Sequence, residues 1–119
     1  MGEYKFQSLL VYQLSLEYND QVYDLIRTMP DHEKFNLCSQ LSRAATSITL
    51  NIAEGSTGQS NKEQVRFLGM AIRSYIETVA CLDLIERRGY IPVNEMSHVR
   101  KTERKLFYKI TKFRKALKF

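Results

Sequence analysis

Hydrophobic residues recur at steps of three and four through four long stretches, and polar or Pro/Gly-bearing turns separate them. The spacing predicts helices over about residues 6–28, 33–54, 61–88 and 94–118, joined by short connections. Segments of this length span about 33–42 Å each, and short connections make neighbours antiparallel. The expected architecture is therefore all-α: one domain over 1–119, an up-down-up-down antiparallel four-helix bundle.

The first predicted helix has two apolar stripes. One holds Leu9, Tyr12, Leu16, Tyr23 and Ile26; the other, roughly 130° around the helix, holds Val11, Leu14, Tyr18, Val22 and Leu25. Only Gln13, Glu17, Asp20 and Asp24 read as a solvated face. Either the core stripe is wide, or one stripe packs against another copy of the chain. A monomeric bundle needs one apolar face per helix, so we take the second reading and assign Val11, Leu14, Tyr18, Val22 and Leu25 to an oligomer interface.

Met29-Pro30-Asp31 breaks the first helix, because proline lacks a donor and restricts its predecessor. The second helix buries Cys38, Leu41, Ala45, Ile48 and Ile52, and Gly55 reads as a left-handed residue past its end. A small face of Ser39, Ser42, Thr46, Thr49 and Ala53 suits a close helix approach. Beside the core stripe runs a polar ridge of Gln40, Arg43, Ser47, Asn51 and Glu54. Three readings fit it: a solvated face, a direct ligand or RNA contact, or a structural network. We take the last, with Glu77 of the third helix as the partner of Arg43.

Ser60 and Glu63 form a capping-box pattern at the start of the third helix, which Gly89 ends. In the fourth helix Met96, Val99, Leu106, Ile110, Phe113 and Leu117 form the core seam, Glu103 interrupts it, and Asn94 reads as the N-cap.

Charge adds the main functional clue. The chain has 119 residues and a net charge of +5. Nine Lys/Arg against Glu95 and Glu103 fall between Val93 and Phe119, so the first ninety-two residues carry a small negative balance. The nine are Arg100, Lys101, Arg104, Lys105, Lys109, Lys112, Arg114, Lys115 and Lys118, none on the apolar seam. A soluble helix needs some charge. A one-sign surface, however, repels itself unless something neutralises it, and phosphates do so with release of counterions. These nine residues are the candidate RNA- or DNA-binding set, with an acidic protein partner as the alternative.

Candidate catalytic chemistry is sparse. No Gly-rich phosphate loop, HExxH or GxSxG occurs, and Glu95-x-x-His98 is a single match to a pattern that two-iron bundles need twice. Cys38 and Cys81 stand alone among apolar neighbours and read as reduced core thiols. The reading is a non-enzymatic protein with no cofactor and no metal. No apolar run is long enough for a membrane span, and the start of the chain lacks a signal-peptide pattern, which predicts a cytoplasmic protein.

The residues also resemble a known family along nearly the whole chain. The carriers are VYQLSLEYNDQVYDL (Val11 to Leu25), the Met29-Pro30 turn with Glu33-Lys34-Phe35, and QLSRAATSITLNIAEG (Gln40 to Gly55), which fits Q-x-x-R-A-x-x-S-I-x-x-N-I-A-E-G. RFLGMAIRSYIET and the Gly89-Tyr90-Ile91 turn add to them. This pattern resembles that of the bacterial 23S rRNA intervening-sequence proteins. The resemblance implies a four-helix bundle assembled as a homopentamer. Similar proteins include the accessory variability protein of diversity-generating retroelements, so the implied partners are other copies of the chain, nucleic acid and a reverse transcriptase. Two positions depart from the pattern: Gln59 stands where relatives often carry Arg, and Arg73 where they often carry Gly.

Overall fold

The computed structural model describes residues 2–119; Met1, the first residue of the predicted domain, lies outside them. Four helices make the fold: α1 Leu10–Ile26, α2 Leu37–Gly55, α3 Asn61–Arg87 and α4 Val93–Ala116. Short 3-10 turns at Lys5–Ser8 and Asp31–Glu33 precede α1 and α2, and no strand occurs among the described residues. Both α1 and α3 pack against α2 and α4, and α2–α3 is the most extensive pair. This is the all-α four-helix bundle expected from the periodicity. It measures 45 × 26 × 22 Å, close to the length of one long helix.

Local chemistry explains where the helix ends depart from the pattern. Helix α2 starts at Leu37 rather than Glu33, because the Glu33 carboxylate turns back over the helix start. Its Oε1 accepts from Asn36 Nδ2 at 3.0 Å and from the Leu37 amide at 3.4 Å. Its Oε2 accepts from the Tyr90 hydroxyl at 2.7 Å, tying the α1–α2 connection to the α3–α4 turn. Gly55 is not past the helix end but the last residue of α2, and its φ is not positive. Glycine is required there by space, since a Cβ would stand 2.5 Å from the Cβ of Phe67 on α3. Gly89, with φ +67°, does turn the chain out of α3. At the start of α3, Ser60 accepts from the Glu63 amide at 3.1 Å. Glu63 does not complete the box: its carboxylate takes Arg66 Nε and Nη2 instead. Pro92, not Asn94, is the N-cap of α4.

The two stripes of α1 exchange the roles expected of them. Val11, Leu14, Tyr18, Val22 and Leu25 are all buried in the core of the single chain, so they cannot form an oligomer interface. Tyr18 sits at the bundle centre, fully buried, with its hydroxyl 2.8 Å from Thr78 Oγ1 on α3. Leu16 and Tyr23, from the other stripe, are exposed, while Leu9, Tyr12 and Ile26 pack against the core edge. The apolar count for α1 was correct; which stripe faces inward depends on the neighbours. Asn19 of α1 donates to Ala45 O and Thr49 Oγ1, both at 2.8 Å, and Thr49 Oγ1 donates to Ser15 Oγ at 3.0 Å. These bonds draw α1 onto the small face of α2 and help to fix its rotation.

Candidate nucleic-acid interface

Helix α4 divides into an inner and an outer face. Met96, Val99, Leu106 and Ile110 are buried, with Thr102 and Glu103 beside them. On the outer face Lys101, Arg104, Lys105, Lys112 and Lys115 are all exposed. At 100° per residue they fall within an arc of about 100°, and they cover about 21 Å of helix length. Among the described residues none of the five has a carboxylate partner. The sequence therefore brings these five together as expected.

The other four predicted members are placed differently. Arg100 is withdrawn from the outer face and only 14% exposed. Its guanidinium donates to Asp83 Oδ1 at 2.7 Å, Glu86 Oε1 at 2.9 Å and Glu103 Oε1 at 2.7 Å. Burial alone would lower its pKa, but the bonds to these carboxylates outweigh that and raise it above the ordinary guanidinium range. Arg100 is thus a clamp between α3 and α4, not a phosphate ligand, and it accounts for Glu103 in the apolar seam. Arg114 bends toward α3 and donates from Nε to Val65 O at 3.0 Å. Lys118 lies beyond the end of α4, where its carbonyl accepts from Asn61 Nδ2 at 2.6 Å. Lys109 is half-buried at the edge of the basic arc.

Three features of this surface were missed from the sequence. Tyr108, 57% exposed, falls at the centre of the arc of cations. Lys112 Nζ and Lys109 Nζ stand 5.5 Å and 5.8 Å from the centre of its ring, within cation–π range. The signal was present, an aromatic in phase with Lys101, Lys105 and Lys112, but a Tyr in a helix reads first as core. Around the α3 side of Arg114, Arg66 and Arg73 border a shallow notch over Gly69 and extend the positive surface. Arg73, a departure from the family pattern, is exposed there. On the α1 side lies an apolar groove of about 270 Å³, lined by Leu9, Leu10, Val11, Phe113 and Ala116 and rimmed by Lys109 and Lys112.

The polar ridge of α2 forms only part of the expected network. Asn51 is buried and donates to Ser47 O at 2.9 Å and Ser47 Oγ at 3.1 Å. Ser47 Oγ is 2.9 Å from Ser74 Oγ on α3. Gln40 donates to Asn36 Oδ1 at 3.1 Å, within its own helix start rather than across to α3. Arg43, Glu54 and Glu77 are exposed and line one open groove with Ser47 and Asn51, but no ion pair joins Arg43 to Glu77 among the described residues. The α2–α3 contact is close enough for hydroxyl-to-hydroxyl bonding. It leaves the long side chains on the outside.

No group of three or more His, Cys, Asp or Glu among the described residues could hold a metal ion. Cys38 and Cys81 are free and buried, and burial, reinforced by Glu33 and Glu77 respectively, pushes both thiols up. No helix among the described residues is long and apolar enough to cross a membrane.

Comparison with known proteins gives a consistent placement. The family model described as 23S rRNA-intervening sequence protein matches residues 7–112. Among solved structures, a protein of unknown function from the S23 ribosomal protein family of Bacteroides thetaiotaomicron superposes with a TM-score of 0.82 at 25% identity, over 90% of this chain and 100% of the other. Among curated proteins none matches.

Proposed function

We propose that this chain, which belongs to the 23S rRNA-intervening sequence protein family, is a non-catalytic nucleic-acid-binding protein that works as an assembly of identical subunits. The observation that carries the reading is the outer face of α4. Lys101, Arg104, Lys105, Lys112 and Lys115 share one exposed arc, without a carboxylate to neutralise them among the described residues. Phosphates supply the missing charge, and displaced counterions supply the free energy. The contact is with backbone rather than base edges, so it carries little sequence preference. The ribosomal-protein label of the Bacteroides neighbour, and the rRNA insertions in the family's name, point to RNA.

Self-association rests on a different surface from the one first assigned. Leu16 and Tyr23 are exposed on α1, and Leu50 is exposed on α2. Large apolar side chains of this kind contribute most when a partner covers them. Assembly would repeat the basic face once per subunit and so multiply its affinity.

The test is binding of fluorescently labelled RNA and duplex DNA, followed by anisotropy, to the chain and to a variant with Lys101, Arg104, Lys105, Lys112 and Lys115 changed to Glu. Binding by the first and not by the second supports the proposal. Equal binding by both, or none by either at low salt, refutes it. Retention of an acidic protein by the unmodified chain alone, without nucleic-acid binding, would favour a protein-interaction role for the same face.

A further inference from the structure

The outer face of α4 carries more than charge. Tyr108 is exposed at the centre of the cationic arc, so its ring lies among the groups that would meet phosphates. Its ring is flanked by the Lys109 and Lys112 ammonium groups at 5.8 Å and 5.5 Å. The same two lysines rim the apolar groove between α1 and α4, whose lining includes Leu9, Leu10 and Phe113. An aromatic ring and an apolar slot thus share one pair of cations.

That combination matches a nucleotide whose base is free. A base offers a flat apolar face to a ring or a slot, and its phosphate offers a negative charge about one nucleotide away. In a duplex the bases are stacked on each other and present only their edges and the phosphates, so neither Tyr108 nor the groove has anything to receive. An unpaired strand uses all three elements: phosphates along Lys101, Arg104, Lys105, Lys112 and Lys115, one base on Tyr108, and a neighbouring base in the groove. A base stacking on the ring takes the place of one ammonium, which then turns to the phosphate.

We infer that the α4 surface selects single-stranded over double-stranded nucleic acid, with Tyr108 as its stacking platform. This rests on the nucleic-acid reading above and sharpens it to a class of ligand.

The experiment compares a labelled oligopyrimidine of about 12 nucleotides, a length within common single-strand site sizes, with a duplex of the same length. Both are titrated with the unmodified chain, with Tyr108→Ala and with Tyr108→Trp. Tyr108 is exposed and outside the core, so both variants keep the fold, which helical circular dichroism verifies. The single strand is expected to bind roughly tenfold more tightly than the duplex, Tyr108→Ala to remove most of that difference while leaving duplex affinity unchanged, and Tyr108→Trp to retain it. Equal affinity for the two probes, or single-strand affinity indifferent to Tyr108→Ala, overturns the inference and leaves the nucleic-acid reading standing. Absence of binding to either probe overturns both.

Discussion

Arg100 Nη1 and Glu103 Oε1, one helical turn apart on α4, are joined at 2.7 Å with their side chains only 14% and 10% exposed. This pair separates the positive charge that holds the bundle together from the charge that faces outward. Removing Arg100 leaves Glu103 buried without its partner, which costs about 3 kcal/mol or more, whereas removing Glu103 leaves Arg100 its bonds to Asp83 and Glu86. Arg100→Ala should therefore lower the midpoint of urea unfolding sharply, and Glu103→Ala should lower it less. The nucleic-acid affinity of Arg100→Ala, measured under conditions where it is folded, should match the unmodified chain. Loss of affinity without loss of stability would return Arg100 to the binding face.

Glu33 gives the fold a pH dependence of known sign. The Tyr90 hydroxyl bond, with help from Asn36, the Leu37 amide and Arg88, outweighs the opposing effect of burial and holds its carboxyl below the usual range. A depressed folded pKa means that the stabilisation is complete above the unfolded pKa of about 4.3 and is lost as pH falls through the lower folded value. Thermal stability should decline as pH is lowered below about 4, and Glu33→Gln should be less stable at neutral pH with a flatter acid limb. The same acid limb in both proteins would show that Glu33 is not responsible.

Gly55 is a packing position. A Cβ there meets the Phe67 Cβ at 2.5 Å, so Gly55→Ala should destabilise by about 1–3 kcal/mol even though alanine is the better helix former. Removing the obstacle with Phe67→Gly, which deletes that Cβ, in the same chain should reduce the penalty of the Gly55 change. Additive losses in the double variant would place the strain elsewhere.

The two stripes of α1 make opposite predictions under a charged substitution. Leu16→Lys or Tyr23→Lys should leave a folded chain and shift it toward monomer in light scattering. Val22→Lys places a charge at a fully buried site and should prevent folding. Unchanged assembly after both exposed substitutions would remove this stripe from the interface.

The helices were legible because each announces itself by periodicity and by terminal residues such as Pro30, Ser60 and Gly89. Rotation about a helix axis was not. Leu16 and Val22 are equally apolar by sequence, and the stripe that turns inward is set by contacts of the packed bundle, among them the Asn19–Ala45, Thr49–Ser15 and Tyr18–Thr78 hydrogen bonds. The basic character of α4 was equally plain, whereas the withdrawal of Arg100 depended on Asp83 and Glu86 arriving from another helix. Tyr108 was hidden for a related reason: its ring is as apolar as that of buried Tyr18, and its exposure is a property of the packed bundle.

The salt dependence of nucleic-acid binding tests the central claim most directly. If the five outer cations of α4 each neutralise a phosphate, the logarithm of the binding constant for duplex DNA should fall linearly with the logarithm of salt concentration. The slope per bound chain should be about −4.5, reduced by about 0.9 for each of Lys101, Arg104, Lys105, Lys112 and Lys115 changed to Ala. A slope near zero, or one unaffected by those substitutions, would contradict it.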